Sequence, residues 1–465
     1  MARTLFDKIW DAHVIKDMED GWALLHIDRH LLHDLSGAPA LSELSTRKLP
    51  VHNPELAFAT PDHVVSSAPG RTGQTYPLGG MLWAVLKKGS ESNGVRLFDI
   101  GQPGQGIVHV MGPELGIVLP GVTLVCGDSH TCTNGGLGAL AFGIGSSEIV
   151  HVLATQTLRQ QKPKRMRIRF EGELKSGIYA KDLILHVIGH LGASAGVGYA
   201  VEFAGSTIRS MPIEGRLTIC NLSVELGAKY AQIAPDETTF NYLRGRMLSP
   251  QGADFDSAVS AWRELVGDED AVFDREEIFD ASEVVPTITW GTSPDQSIAI
   301  NGLIPSPDQA PNEVRREEWR AALEYMGLEA GQPLAGAKVD WVFIGSCANS
   351  RLSDLEEAAK VVRGRQVAEG VTAWVVPGSE QVKRAAEVMG LDQVFLAAGF
   401  EWREPGCSMC VAANGERVPP QARAVSTSNR NFVGRQGPGA RTHLASPAMA
   451  AAAAVTGVIT DVRSL

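Results

Sequence analysis

The chain has 465 residues, 44% of them hydrophobic and 20% charged, a composition typical of a folded globular protein that is too long for one core. The formal net charge of −11 argues against nucleic acid as a partner, because nucleic acid attracts basic surfaces. Residues 1–13 carry no apolar core and residues 445–459 are too few to span a bilayer, so we expect neither export nor a membrane. Six cysteines are too sparse for a disulfide scaffold, which favours a reduced, cytoplasmic environment.

The N-terminal half mixes predicted strands and helices. Apolar and β-branched runs predict strands at residues 95–100 and 122–126, and helical spacing of apolar residues predicts a helix over 146–159. Alternating charged and apolar residues predict a strand at 165–170. The polar, proline-containing stretch just before that strand is typical of a domain boundary.

The C-terminal third alternates strand and helix more regularly, which predicts a parallel sheet covered by helices and chemistry at the carboxyl ends of its strands. The predicted elements are strands at 339–344, 373–376 and 422–426 and helices at 351–363, 379–389 and 446–455. A second polar, proline-containing stretch, at about residues 283–311, is a candidate for another boundary. We therefore predict three α/β domains, at residues 1–164, 165–290 and 291–465.

Three cysteines stand out as candidate metal ligands. Cys407 and Cys410 form a C-x-x-C pair, and Cys347 lies between a predicted strand and a predicted helix, where thiolates are stabilised. The pattern leaves four interpretations open: a structural zinc site, a redox pair, a three-cysteine iron–sulfur cluster with one open iron, and three unrelated buried thiols.

Histidines and carboxylates interrupt the apolar runs of the N-terminal half at four places. These segments contain Asp28 with His30, then His109, then Asp128 with His130, and finally Asn221 with Glu225. Such groups can donate a proton to a departing hydroxyl and hold the donor in the right tautomer. Each segment alone is as compatible with a structural role. A Gly-Asp-Ser hydrolase is not expected, because no Asp-x-x-His follows near the C-terminus.

A basic loop follows the last predicted strand of the C-terminal third. Arg430 and Arg435 lie in the segment that begins at Asn429. Guanidinium groups grip carboxylates through two parallel hydrogen bonds, so the loop is suited to binding an organic acid. An exposed turn is the alternative.

Taken together and in this order, the motifs closely resemble the aconitase superfamily over essentially the whole chain, from Thr4 to the alanine-rich C-terminus. The resemblance implies an α/β fold with three domains around a central [4Fe-4S] site, without the swivelling fourth domain of aconitase. It implies that Cys347, Cys407 and Cys410 hold one cluster with an open iron. The implied activity is that of a hydro-lyase, which moves a hydroxyl between neighbouring carbons by dehydration and rehydration.

The resemblance also implies roles for the polar residues. His109 would pair with Asp128 and His130 with Glu225, while Asp28 would be the third carboxylate, with His30 or His33 as its partner. Asn221 and Asn429 would line the cluster, and Arg430 and Arg435 would hold substrate carboxylates.

A small partner subunit is implied as well, forming a heterodimer and supplying the base that removes the carbon-bound proton. The substrate would be a small alkylmalate. The loop at residues 131–136 and the segment Ser379-Glu380-Gln381 are closer to aconitase, which leaves the choice of alkylmalate open. An RNA-binding iron sensor and an electron-transfer protein with a fourth cluster ligand stay open as other classes of function.

Overall fold

The computed structural model describes residues 2–465, which form two compact units. The first unit comprises the chain up to Val65 together with Thr72–Glu173 and Ser194–Ala281. The second comprises Ser66–Arg71, Leu174–Ala193 and Ser282–Leu465. The division into three domains stays a prediction. Within residues 2–465, no helix has the length and apolar composition that a bilayer crossing requires.

The strands are short, and most belong to parallel sheets. They are β1 Val14–Asp17, β2 Trp22–His26, β3 Arg29–His33, β4 Ala57–Thr60, β5 Arg96–Leu97, β6 Thr123–Cys126, β7 Leu140–Gly143, β8 Thr157–Gln161, β9 Lys164–Glu171, β10 Tyr199–Ala204, β11 Tyr230–Gln232, β12 Arg275–Asp280, β13 Thr287–Thr289, β14 Ser297–Ala299, β15 Trp341–Ile344, β16 Thr372–Val375, β17 Glu401–Trp402, β18 Arg423–Ser426 and β19 Arg441–Leu444.

The α-helices connect these strands. They are α1 Leu5–His13, α2 Gly37–Arg47, α3 Pro77–Asn93, α4 Val108–Leu115, α5 Ser146–Thr155, α6 Ala180–Leu191, α7 Ser206–Ser210, α8 Ile213–Leu222, α9 Glu237–Leu243, α10 Gly252–Arg263, α11 Glu313–Met326, α12 Leu352–Val362, α13 Glu380–Val388, α14 Leu391–Ala398 and α15 Pro447–Thr456.

The first unit is built on a five-stranded sheet in the order β5-β4-β3-β6-β7, in which every pair is parallel. Leu31 and Leu32 are consecutive in β3 and both fully buried, each in a different apolar cluster. Because successive side chains of a strand point to opposite faces, this sheet is covered on both sides. A parallel sheet β11-β10-β9-β12 and an antiparallel sheet β1-β2-β8 complete the unit.

The second unit contains a parallel sheet in the order β17-β16-β15-β18-β19 and the small antiparallel pair β13-β14. Helix α13 begins where the Ser379 hydroxyl accepts a hydrogen bond from the Val382 amide at 3.1 Å, an ordinary N-cap. Helix α15 buries a run of alanines and ends at Gly457, whose φ of 73° suits glycine.

Most predicted elements are present within a few residues of the expected bounds, and the parallel sheet of the C-terminal third is confirmed. The helix predicted over 146–159 was too long. It ends at Thr155, because Gln156 adopts a left-handed conformation with φ of 57°. The following residues form β8, in which Leu158 and Gln160 are buried and their neighbours face outward. The strand predicted at 95–100 shrinks to β5.

Candidate active site

Three carboxylates of the first unit come just after neighbouring strands of its five-stranded sheet. Asp34 follows β3 directly, while Asp62 follows β4 and Asp128 follows β6 after one intervening residue each. Because the strands are parallel, their carboxyl ends lie at the same edge, where α/β proteins place their chemistry. Because these three strands are adjacent in the sheet, the three carboxylates lie at one edge.

Asp128 is the centre of this edge and contacts three imidazoles. One carboxylate oxygen lies 3.3 Å from Nε2 of His63 and 3.6 Å from Nε2 of His109. The other lies 3.3 Å from Nδ1 of His130 and accepts the His130 backbone amide at 2.8 Å. On its far side, His130 presents Nε2 to Glu225 at 3.1 Å. We call Asp128, His63, His109, His130 and Glu225 the Asp128 cluster.

The charge of Asp128 is set by these neighbours. Burial raises the pKa of the Asp128 carboxyl, but hydrogen bonds from His109, His130 and His63 outweigh burial and bring the pKa well below its ordinary value. Asp128 is therefore an anion at neutral pH. Its carboxylate oxygens can accept hydrogen bonds from ring N–H groups of all three histidines, which fixes the orientation of the rings.

His63 is held by a second carboxylate as well. Its Nδ1 lies 2.5 Å from an oxygen of Asp62, whose other oxygen accepts the Val108 amide at 3.0 Å. The His33 ring stacks on the His63 ring with centroids 4.0 Å apart. Both ring nitrogens of His63 thus face carboxylates, which fixes the plane of the ring.

Four buried residues lie close enough together to hold a cation: His33, Asp34, Asp62 and His63. Their carboxylate oxygens, however, already accept hydrogen bonds from the protein. Asp34 accepts the backbone amides of His63 and Val64, each at 3.0 Å. Burial, and then the charge of Asp62, raise the pKa of Asp34 to about 6. Burial, and then the charge of His63, lower the pKa of His33 to about 4. These four residues form a network that orients His63.

Asn221 and Glu225 reach the same edge from the end of α8 and the 3-10 turn Ser223–Leu226. The Asn221 amide donates to the Thr133 hydroxyl at 2.8 Å and is fully buried. Thr133 belongs to the 3-10 segment Ser129–Leu137 that begins at Asp128. The structure therefore brings together the expected pairs His109 with Asp128 and His130 with Glu225, and it connects Asn221 to the segment that carries His130.

The structure gives Asp28 other partners than His30 or His33, which the resemblance implied. Asp28 precedes β3 and so lies at the amino edge of the sheet, opposite the Asp128 cluster. Its carboxylate lies 2.7 Å from Nε2 of His13 and 3.3 Å from Nδ1 of His26, and it accepts the Thr123 amide at 2.8 Å. His30 is buried within β3, and neither of its ring nitrogens has a hydrogen-bond partner among the described residues. Residues at the two ends of a strand lie at opposite edges of the sheet, although they are close together in the sequence.

The Asp62–His63 pair is what the sequence reasoning missed. Like the segment of Asp128 and His130, it is an aspartate with a nearby histidine just after a buried strand. A predicted strand at residues 57–60 would have indicated this pair. That strand is fully buried and only four residues long, too short for a clear periodicity.

The three candidate cysteines of the second unit are all buried, with 5–7% of each residue exposed. Cys347 follows β15 and Asn429 follows β18, its parallel neighbour, so both lie at the carboxyl edge of the sheet. The Asn429 amide donates to Sγ of Cys347 at 3.3 Å, and its carbonyl oxygen accepts from Sγ of Cys410 at 3.5 Å. One side chain thus touches the thiols of two distant segments.

The donor set fits a cluster better than a single ion. Within residues 2–465, the three sulfur atoms do not form a group in which all lie within 4.8 Å of one another. Zinc at about 2.3 Å from each sulfur needs closer thiolates, whereas an iron–sulfur cube spreads its ligands over separate corners. Three thiols without a fourth are also the set that leaves one iron open.

Arg430 and Arg435 follow Asn429 in the loop after β18, and both are half-buried. The Nε atom of Arg435 is buried and has no hydrogen-bond partner among residues 2–465. An unsatisfied buried donor on a guanidinium is a group that a carboxylate can complete.

A buried glutamate holds the C-x-x-C segment in place. Glu416 accepts hydrogen bonds from the hydroxyls of Ser408 and Ser67, each at 2.6 Å, and from the Arg403 guanidinium at 3.1 Å. Ser408 lies between the two cysteines and adopts a left-handed φ of 51°, which a non-glycine residue keeps only when its surroundings demand it. The sequence reasoning did not single out Glu416.

Comparison with known proteins shows the family to which the chain belongs. The model of the aconitase family (aconitate hydratase) matches residues 7–457, and the chain belongs to this family. Over 464 residues it is 65% identical to the large subunit 1 of 3-isopropylmalate dehydratase from Bradyrhizobium diazoefficiens, covering 100% of this chain and 97% of that protein. Aconitase X from Thermococcus kodakaraensis, a solved structure, is 11% identical with a TM-score of 0.48 and covers 91% of this chain and 87% of that one.

Proposed function

We propose that this chain is the large subunit of a 3-isopropylmalate dehydratase, which interconverts 2-isopropylmalate and 3-isopropylmalate in leucine biosynthesis. The observation that carries the proposal is the 65% identity, over the full chain, to a protein of that name. The buried thiols and the Asp128 cluster supply the chemical groups that such a reaction needs. The alternative within the class is a hydro-lyase for methylmalate, homocitrate or another alkylmalate.

Aconitase-family proteins carry a [4Fe-4S] cluster, and in this chain Cys347, Cys407 and Cys410 are the residues that would hold it, one cluster per chain. The open iron of such a cluster supplies a Lewis acid for the substrate hydroxyl and carboxylate. The other steps belong to the protein. Asn429 orients two of the ligands, as its contacts with Cys347 and Cys410 support.

The proton for the departing hydroxyl would come from His63. This ring lies between the carboxylates of Asp62 and Asp128, which fix its orientation, and an imidazole held in this way can act as a general acid. His109 and His130 would share the charge of Asp128, with Glu225 steadying His130. In the reverse direction, the same ring would accept a proton from the returning water.

The remaining roles concern binding. Arg430 and Arg435 would hold the substrate carboxylates, and Asn221 would keep the His130 segment in register. Asp28 and His30, expected at the site from the sequence, would serve the amino edge of the sheet instead. The relative is named a large subunit, which supports a small partner subunit in a heterodimer, with the base for the carbon-bound proton on that partner.

The test is reconstitution. The purified chain, loaded anaerobically with iron and sulfide and mixed with a small subunit of a 3-isopropylmalate dehydratase, should convert 2-isopropylmalate into its isomer, followed by the ultraviolet absorbance of the alkene. Methylmalate and homocitrate serve as competing substrates. Activity on one of these but not on 2-isopropylmalate would select the alternative, and no activity on any alkylmalate would refute the class.

A second prediction concerns the ligands. Replacement of Cys347 by serine should abolish the brown chromophore and the activity, because a serine oxygen is a poor substitute for a thiolate on iron. Cys132→Ser is the matched control: Cys132 is equally buried and donates from Sγ to the Cys220 carbonyl at 3.2 Å, a bond that a hydroxyl can replace. Iron content and visible absorbance are the measurements, and full iron content in Cys347→Ser would contradict the ligand assignment.

A further inference from the structure

Lys181 is a buried cation that the proposed reaction does not use. It is the second residue of α6 and fully buried. Its ammonium donates to the backbone carbonyls of Thr427 and Ser428, at 2.5 and 2.6 Å. A positive charge at the N-terminal end of a helix opposes the helix dipole, so this lysine weakens its own helix and needs another reason to be there.

The ammonium has no carboxylate partner. No aspartate or glutamate of residues 2–465 lies within ion-pair distance of the Lys181 ammonium, and Asp354 and Asp182 act on it only from farther away. The two nearby acids are engaged elsewhere: Asp182 accepts the amides of Tyr179 and Thr287, and Asp354 accepts the Arg351 amide and the Asn349 side chain. A buried charge without a counter-charge is costly.

The turn that this lysine holds leads directly to the sulfur ligands. Burial lowers the pKa of Lys181 to about 7, and the charges of Cys410, Asp354, Asp182 and Cys347, in that order, partly offset burial. Both thiols touch Asn429, the residue that follows the two carbonyls held by Lys181. Metal-bound cysteines are permanently thiolates, so in the loaded protein they would add negative charge on the side of this ammonium that faces Asn429.

The same two carbonyls belong to a junction between two loops. The Thr427 hydroxyl accepts the Gly345 amide at 2.8 Å and donates to the Gly345 carbonyl at 2.9 Å. The Ser346 hydroxyl donates to the Thr427 carbonyl at 3.2 Å. Lys181 thus holds the turn that fixes Asn429 beside the segment carrying Cys347.

We propose that Lys181 is a positioning residue for the sulfur ligands: its ammonium anchors the turn at Thr427 and Ser428 and offsets the charge of the buried thiolates. This inference rests on the proposed function only for the presence of a cluster. Removal of the ammonium should then loosen the turn in the cluster-free protein and make the cluster harder to reduce, because an added electron is better tolerated near a positive charge.

The decisive variant is Lys181→Met, which keeps the length of the side chain and removes its charge and donors. In the cluster-free protein, amide hydrogen exchange over residues 426–431 should accelerate by about tenfold or more, since two charge-assisted hydrogen bonds are lost. In the reconstituted protein, a redox titration followed by EPR should show a more negative midpoint potential. Lys181→Arg, which keeps the charge, should restore the potential at least in part.

Lys229→Met is the matched control. Lys229 is a lysine of the first unit whose ammonium donates to the Gln160 side chain at 2.6 Å, and its loss should change neither measurement. Unchanged exchange or an unchanged potential in Lys181→Met would overturn the inference. If Lys181→Met does not fold, Lys181→Gln takes its place under the same criteria. Failure of the wild-type chain to bind a cluster would instead count against the proposed function, and the exchange measurement would still test the anchoring of the turn.

Discussion

At the scale of residues, two aspartates, Asp62 and Asp28, lie at opposite edges of one sheet and contact different histidines. Asp62 faces His63 at the carboxyl edge, and Asp28 faces His13 and His26 at the amino edge. Each has a histidine within two residues in the sequence. Only the direction of the strands places one at the edge of the Asp128 cluster and the other at the opposite edge of the same sheet.

A pair of substitutions tests this assignment. Asp62→Asn should lower kcat by a factor on the order of 10² to 10⁴, the usual contribution of a positioned acid–base group, while leaving the iron content unchanged. Asp28→Asn, the matched control, should leave kcat within about a factor of two. Steady-state kinetics on the reconstituted heterodimer measures both. A larger loss of kcat in Asp28→Asn than in Asp62→Asn would reverse the assignment.

The pair of Asp28 and His13 should also make stability depend on pH. Burial opposes both charges, but their mutual hydrogen bond lowers the pKa of Asp28 below 3.8 and raises the pKa of His13 above 6.5. The stabilisation from Asp28 is present above pH 3.8 and is lost as the pH falls through its lowered pKa. That from His13 is complete below pH 6.5 and is lost as the pH rises through its raised pKa.

The melting temperature should therefore fall between pH 6 and pH 8 by more in the wild-type chain than in Asp28→Asn, which has already lost the pair. Differential scanning fluorimetry of the cluster-free protein at both pH values measures this difference. Equal pH dependence in the two proteins would show that the ion pair contributes nothing measurable to folding.

At the scale of elements, the C-x-x-C segment depends on a group outside itself. The 3-10 turn Ser408–Cys410 is too short to hold its own geometry, and Ser408 needs its hydroxyl bond to Glu416 to keep a left-handed backbone. The pKa of Glu416 lies below its ordinary value because hydrogen bonds from Ser408 and Ser67 and the charge of Arg403 together outweigh burial.

Glu416→Gln should cost about 1–3 kcal/mol of stability, because one of the donors now meets an amide that cannot accept it, and it should speed the loss of iron to a chelator. Glu401→Gln is the control, since Glu401 also contacts the Arg403 guanidinium, at 2.6 Å, but is half exposed and its ion pair contributes little. Chemical denaturation and the rate of bleaching under chelator are the measurements. Equal bleaching rates in the two variants would remove Glu416 from this role.

At the scale of the whole molecule, the chain does not pass through its two units in succession. Helix α6 belongs to the second unit although the residues on either side of its segment belong to the first. The Thr287 amide donates to Asp182 in α6, and the Ser297 hydroxyl donates to the Leu185 carbonyl at 2.9 Å. The second unit thus needs a segment from the middle of the sequence to complete its packing.

Local patterns in the sequence determined a good part of this protein. Periodicity and capping predicted α12, α13 and α15, and β-branched runs predicted β15, β16 and β18, because such signals arise from neighbours along the chain. The spacing of Cys347, Cys407 and Cys410, together with the resemblance to the aconitase superfamily, indicated a hydro-lyase with an iron–sulfur cluster.

Tertiary structure decided the contacts that neither local patterns nor the resemblance had indicated. The order of the strands brought Asp62 and His63 to Asp128 and took Asp28 away, and the fold placed Lys181 beneath the turn at Thr427, 246 residues along the chain. Neither fact is encoded in local spacing, since strand order and the burial of one charge beside another depend on the packing of distant segments.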